Sequence, residues 1–227
     1  MKIIFFGDSL TEGTLGVSYV NKVATILRGH HFINQGVNGD TSLNLYRRME
    51  ADVIDERPDG VFVMIGINDA VSAVEQGSHL YYRFLKRIPN GQISPLSFRE
   101  NMRAILGKLK AAQIKTWVGL PPIEYNPAQV RTLREMNAYT AEICRELSIP
   151  TLDLMAALTP QTVPERPATS LLHYTQSLTR SILKPDYDQL RQAGGFTYTF
   201  DGVHLTDGGA QRIADLVAPF LRANGLR

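Results

Sequence analysis

Ser9 follows a glycine and an aspartate directly after the apolar run 3–6, and Asp201 precedes His204 by three residues in "DGVH" (201–204). A serine hydroxyl becomes a nucleophile when an imidazole takes its proton. The imidazole is ready for this when a carboxylate holds its other nitrogen protonated. An aspartate three residues before a histidine, on a short segment opening into a helix, can reach the Nδ1–H and leave Nε2 free for the Ser9 hydroxyl. Each piece also has a plainer reading: Ser9 as a helix cap, and Asp-x-x-His as a cap or a pair of metal ligands.

A serine attacking a carbonyl also needs donors for the oxyanion that forms. Three candidates lie at suitable places: the Ser9 backbone N–H, Gly39 in "NGDTS" (38–42) and Asn68 in "GIND" (66–69). Gly39 has no side chain to keep a substrate from its N–H, and the Asn68 amide donates without carrying a titratable charge. Singly, Gly39 reads as a turn with positive φ and Asn68 as a turn-stabilising residue.

These residues must be brought together by the elements that precede them. "KIIFFG" (2–7) and "GVFVMIG" (60–66) have the unbroken apolar, β-branched and aromatic character of strands buried on both faces. "HHFINQG" (30–36), "KTWVGL" (115–120) and "IPTLDL" (149–154) are weaker versions. Amphipathic helical patterns lie between them at about 17–28, 42–55, 98–112 and 128–147, and a last one at about 207–223. Thr41 or Ser42 and Asp207 stand where N-caps are expected. Strand alternating with helix predicts a parallel sheet inside a three-layer α/β/α sandwich, with ligands beyond the carboxyl ends of the strands. Ser9, Gly39 and Asn68 each follow one of the first three strands. That is the arrangement of a site.

Two stretches break the rhythm, 70–97 and 155–200. Within one domain spanning 1–227, segments of that length are expected to act as lids, binding loops or subunit contacts. The first contains "LYYRFLKR" (80–87), which can wall a pocket with aromatics and offer Arg83, Lys86 and Arg87 to an anionic group. A solvated amphipathic helix fits it equally well.

The composition narrows the function classes. The 227 residues carry a net charge of only +2, which argues against nucleic acid as a partner. No apolar run approaches the ~20 residues of a membrane span, and no charged n-region with an apolar core marks a leader. A cytoplasmic protein is therefore expected. The lone cysteine, Cys144, reads as a packed helix residue and excludes an internal disulfide. Of the other histidines, His30 and His31 enter a strand, and His79 and His173 fall in the irregular stretches.

Taken in order, "GDSLTEG", "NQGVNGDTS", "GIND" and "DGVH" resemble the sequence blocks of the SGNH hydrolases, the GDSL esterase/lipase family, over residues 7–204. The resemblance implies a flavodoxin-like fold with a five-stranded parallel sheet. It implies Ser9 as nucleophile, Asp201 and His204 as its triad partners, and Ser9, Gly39 and Asn68 as oxyanion donors, without cofactor or metal. The substrate class implied is a small-molecule carboxylic ester, with thioesters and lysophospholipids inside the family's range. A carbohydrate O-acetyl ester, or a non-catalytic binding protein of the same fold, is the alternative. A metal-dependent reading with Asp8, Asp201 and His204 as ligands is poorer, since no His-x-His or His-x-x-x-His spacing exists. Asp8 is expected to cap or stabilise the turn. The sequence departs from the commonest pattern at Ile67, expected to add bulk on the acyl side beside Asn68, and at Leu205, where proline is frequent.

Overall fold

The computed structural model describes residues 1–168 and 185–226. Five of the six residues of β1 (Lys2–Gly7) are buried, and so is all of β3 (Gly60–Met64). Such strands have no solvent face, which is why their sequences do not alternate. β1 pairs with β2 (His31–Gly36) on one side and with β3 on the other, with Gly7 opposite both Gly36 and Met64. β4 (Lys115–Leu120) and β5 (Thr151–Asp153) complete a sheet of order β2-β1-β3-β4-β5, parallel throughout. This is a flavodoxin-like order, the fold that the family resemblance implies.

In that order the chain reverses direction between β1 and β3. Ligands of open α/β sheets bind at such a switch point, beyond the carboxyl ends of the strands. Ser9 lies beyond β1, and Asn68 beyond β3.

Among the described residues the α-helices are α1 (Ser9–Glu12), α2 (Tyr19–Ile26), α3 (Ser42–Met49), α4 (Ile67–Val74), α5 (His79–Phe84), α6 (Pro95–Ala111), α7 (Pro127–Leu147), α8 (Leu154–Leu158), α9 (Tyr187–Gly194) and α10 (Asp207–Ala223). α2 packs on α10, while α3, α6 and α7 form a second group that α4 joins. Right-handed crossovers place the two groups on opposite faces of the sheet. α3 runs on into a wider π turn over Glu50–Ile54, so the helical pattern at 42–55 is two segments.

One boundary expectation changes for an identifiable reason. The last helix is capped by Thr206, whose hydroxyl accepts from Gly209 N at 3.1 Å. Asp207 is the first helical residue and pairs with Lys22 at 2.7 Å. Ile67 lies in the core at the start of α4, 2% exposed. Cys144 is buried in α7, and burial pushes its thiol up to about 11. Among the described residues no helix is long and apolar enough to cross a membrane. The stretch 155–200 is described only in part, and His173 lies outside the described residues.

Candidate active site

β1 ends because Asp8 begins a helix. The Asp8 side chain accepts from Leu10 N at 3.1 Å, and its carbonyl accepts from Thr11 N and Glu12 N. This is the capping role expected of it. The carboxyl is buried and Oδ2 has no partner among the described residues, so burial pushes it up to about 7 against the pull of the Leu10 N–H. Ser9 is thereby the first residue of α1, only 3% exposed.

The second part of the site is a closed turn. Thr199 bridges Leu205 in antiparallel fashion, Phe200 N donates to His204 O at 3.0 Å, and Thr206 N donates to Tyr198 O at 3.2 Å. Asp201 sits at the apex, where Oδ1 accepts from Val203 N at 3.1 Å and from His204 N at 2.8 Å. Those two bonds orient the carboxylate so that Oδ2 meets His204 Nδ1 at 2.8 Å. Gly202 follows with φ +91, and a Cβ there would overlap Tyr125. The turn is tied back to the segment after α1 by Val17 N donating to Leu205 O at 3.1 Å.

The two parts meet where His204 Nε2 stands 3.1 Å from Ser9 Oγ. The residues are 195 positions apart in the chain. Burial pulls the His204 pKa down, but the Asp201 charge and hydrogen bond, with Asp8 and Glu12 behind, hold it above its ordinary value. Burial pushes the Asp201 carboxyl up, and His204 with the two backbone donors brings it below the ordinary carboxylate value.

The remaining candidate donors surround the turn after β2. Val37 N donates to Gly7 O at 3.1 Å, which brings this turn against the end of β1. Gly39 has φ +75, and a Cβ there would run into the Tyr81 hydroxyl and the Lys86 stem. Only glycine fits. Asn68 Nδ2 donates to Asp40 O at 3.0 Å, while its Oδ1 accepts from Tyr82 at 2.8 Å. The carboxamide is thus held at both ends, with one Nδ2 hydrogen left over. The N–H groups of Ser9 and Gly39 have no acceptor among the described residues.

Buried charges brace this arrangement. Asp40 lies between Arg48 at 2.8 Å and Lys86 at 2.9 Å. Arg48 also donates to Gly7 O and Gln35 O, both at 3.0 Å, and so joins the ends of β1 and β2. Asp69 accepts the Ser42 N–H on both oxygens and the Ser42 hydroxyl at 2.5 Å, while burial pushes it up to about 7. Lys86 is therefore committed to Asp40, not offered to an anionic group, and Arg83 lies over the Phe84 ring. Among the described residues no group of three or more His, Cys, Asp or Glu is placed to hold a metal ion.

The model of the GDSL-like lipase/acylhydrolase family matches residues 5–212. The chain belongs to that family. Among curated proteins, this family member is 38% identical over 86 residues to an acetylxylan esterase of Geobacillus stearothermophilus. The match covers 30% of this chain and 39% of that protein's length. A second match, 33% over 82 residues, is to the uncharacterized lipoprotein YqeF of Bacillus subtilis (strain 168), 32% of this chain and 34% of that one. The solved structure of Axe2, an acetylxylan esterase from Geobacillus stearothermophilus, superposes with a TM-score of 0.64 over 100% of this chain and 94% of its own. At 22% identity it shows the same fold.

Tyr82 and Arg48 are site residues that sequence reasoning did not single out. The signal for Tyr82 lay in the aromatic cluster 80–87, read there as a pocket wall. Arg48 carries no motif, and only the sheet register shows which strand ends it joins.

Proposed function

We propose that this GDSL-family protein is a serine hydrolase that cleaves small carboxylic esters through an acyl-enzyme intermediate. The observation that carries the reading is the line of contacts from Asp201 to His204 Nδ1 and from His204 Nε2 to Ser9 Oγ, at 2.8 and 3.1 Å. Ser9 Oγ attacks the acyl carbon as its proton passes to His204 Nε2. The oxyanion receives the N–H groups of Ser9 and Gly39 and the second Nδ2 hydrogen of Asn68. His204 then gives the proton to the leaving alkoxide, and water repeats the sequence on the acyl-serine. No cofactor enters. Tyr81 and Lys86 lie against Gly39, which leaves no room for bulk on that side of the candidate oxyanion site. The acetylxylan esterase among the relatives supports a second reading, an acetyl group carried on a carbohydrate.

The test is a panel of p-nitrophenyl esters of rising chain length beside acetylated xylooligosaccharides, with a fluorophosphonate as active-site label. Acetyl and butyryl esters should have the highest kcat/KM, with one phosphonyl adduct on Ser9 and no effect of EDTA. Faster acetate release from the oligosaccharide would select the carbohydrate reading. No turnover of any ester, with Ser9 unlabelled, would leave a binding protein.

Two variants weigh the oxyanion site separately. Asn68→Ala should lower kcat by ~10²–10³-fold with little change in KM, the usual effect of losing one oxyanion donor. Tyr82→Phe keeps the donor but frees one end of the carboxamide. Since one neutral hydrogen bond contributes about 1 kcal/mol, its loss should be about tenfold or less, again in kcat. A loss confined to KM in both would make Asn68 an ordinary substrate contact.

A further inference from the structure

Asp201 and His204 lie on a turn that is remote in sequence from Ser9; the Val17 bond to Leu205 and the His204 contact with Ser9 reach it, but neither holds the segment by which the chain enters the turn. We propose that Glu124 is the positioning residue that does so, setting where His204 stands relative to Ser9. The proposal rests on the hydrolase reading above. Glu124 follows β4 and is 3% exposed. A carboxylate so deeply buried persists only when its oxygens are filled with donors.

Among the described residues every donor to it comes from one short segment. Oε1 accepts from Thr197 N and Tyr198 N at 3.1 Å, from Thr199 N at 2.9 Å and from Thr199 Oγ1 at 2.6 Å. Oε2 accepts from Thr197 N at 2.9 Å and from Thr197 Oγ1 at 2.6 Å. The side chain thus wraps the backbone entering the Asp201 turn, and the Glu124 N–H closes the other side by donating to Gly202 O at 3.0 Å.

One link runs on from the carboxylate into the turn. An ionised carboxylate only accepts, so the Thr199 hydroxyl points its hydrogen at Oε1. Its lone pairs are then turned to the Gly202 N–H, which it accepts at 3.0 Å. Gly202 is the residue after Asp201. Both flanks of the apex, Thr199 and Gly202, are therefore referred to one side chain mounted just beyond β4. A residue needed only to fill the core would be apolar at this depth. One needed only to join two loops would not direct both oxygens at the three residues 197–199.

Glu124→Gln is the test, because an amide offers one acceptor oxygen and turns an N–H toward the donors of 197–199. In folded protein, kcat should fall about 10- to 100-fold, the scale of a catalytic group displaced by a fraction of an ångström to an ångström. KM should stay within about twofold, since substrate contacts are unchanged. The rate of Ser9 phosphonylation should fall with kcat. The downfield proton resonance of His204 Nδ1–H, which reports its bond to Asp201, should shift or exchange faster. Wild-type kcat with an unmoved resonance in folded Glu124→Gln protein would overturn the proposal. If that variant does not fold, Thr199→Val decides. It keeps the carboxylate and its bonds to Thr197 and to the backbone N–H groups, and deletes the Thr199 hydroxyl with its bond to Oε1 and its bond from Gly202 N. A smaller fall in kcat with the same movement of the resonance is expected, and no change in either overturns the proposal. Should the wild type hydrolyse no ester, the hydrolase reading fails while the resonance still reports on Glu124. An active wild type with an unaffected Glu124→Gln variant would sink this proposal alone.

Discussion

Purified Ser9→Ala protein is expected to lose ester turnover by ~10⁴-fold or more in kcat, yet to melt close to the wild-type temperature. The two halves of that expectation come from different atoms. Among the described residues the hydroxyl's partner is His204 Nε2, a single hydrogen bond at 3.1 Å. Removing it costs about 1 kcal/mol. In a chain of this size that moves Tm by about 2–4 °C. The backbone of Ser9, by contrast, takes part in α1, where its carbonyl accepts from Gly13 N at 2.9 Å, and alanine keeps that bond. His204 and Asp201 would remain in place without a nucleophile to serve, so the residual rate should reflect binding and the oxyanion donors alone. Turnover by pure Ser9→Ala protein at anything near the wild-type rate would remove Ser9 from the chemistry. A large fall in Tm would mean that the hydroxyl holds the fold.

The strands were legible in the sequence where burial is complete. β1 and β3 are unbroken apolar runs because neither face meets water, and their ends expose the small residues of the site. β2 is an edge strand with no fully buried residue, and its signal was correspondingly weak. Ser9, Asp201 and His204 stood out as candidates because each belongs to a short motif whose spacing has a chemical meaning, and the structure places them in contact. Asn68 stood out as a candidate donor, but not the two groups that hold its amide, since Tyr82 comes from α5 and the Asp40 carbonyl from another turn. Glu124 was invisible for the same reason. Its partners lie 73 to 75 residues away, and nothing in "PPIEYN" marks a glutamate that will be buried. Asp207 was misplaced as a cap because Thr206 and Asp207 are both good capping residues. Which one caps depends on the ladder from Tyr198 to Thr206 that ends the preceding turn.

The Asp201→Asn variant should lose ~10⁴-fold in kcat, and its pH profile should show why. In the wild type His204 must be neutral to accept the Ser9 proton, so activity rises with pH as the imidazolium deprotonates. Burial alone would place that step below the ordinary 6.5, but the Asp201 charge and hydrogen bond place it above. An asparagine keeps an acceptor for Val203 N and His204 N, then presents Nδ2 hydrogens where Oδ2 accepted from Nδ1. The imidazole answers by carrying its proton on Nε2, facing Ser9, where it cannot accept another. The acid limb of the residual activity should therefore lie at lower pH than in the wild type, because desolvation remains while the Asp201 contribution is gone and only the charges of Asp8 and Glu12 still oppose it. Stability carries the same signature with its own signs. The raised His204 pKa stabilises the fold below about pH 6.5 and ceases to as pH rises through its folded value. The depressed Asp201 pKa stabilises it above about pH 4 and ceases to as pH falls through its folded value. The excess Tm of wild type over Asp201→Asn should thus be greatest between those limits and shrink on either side. Full activity with an unmoved acid limb would require another carboxylate on Nδ1. Asp69 and Asp207 are not free to serve, since Asp69 has both oxygens on Ser42 and Asp207 pairs with Lys22.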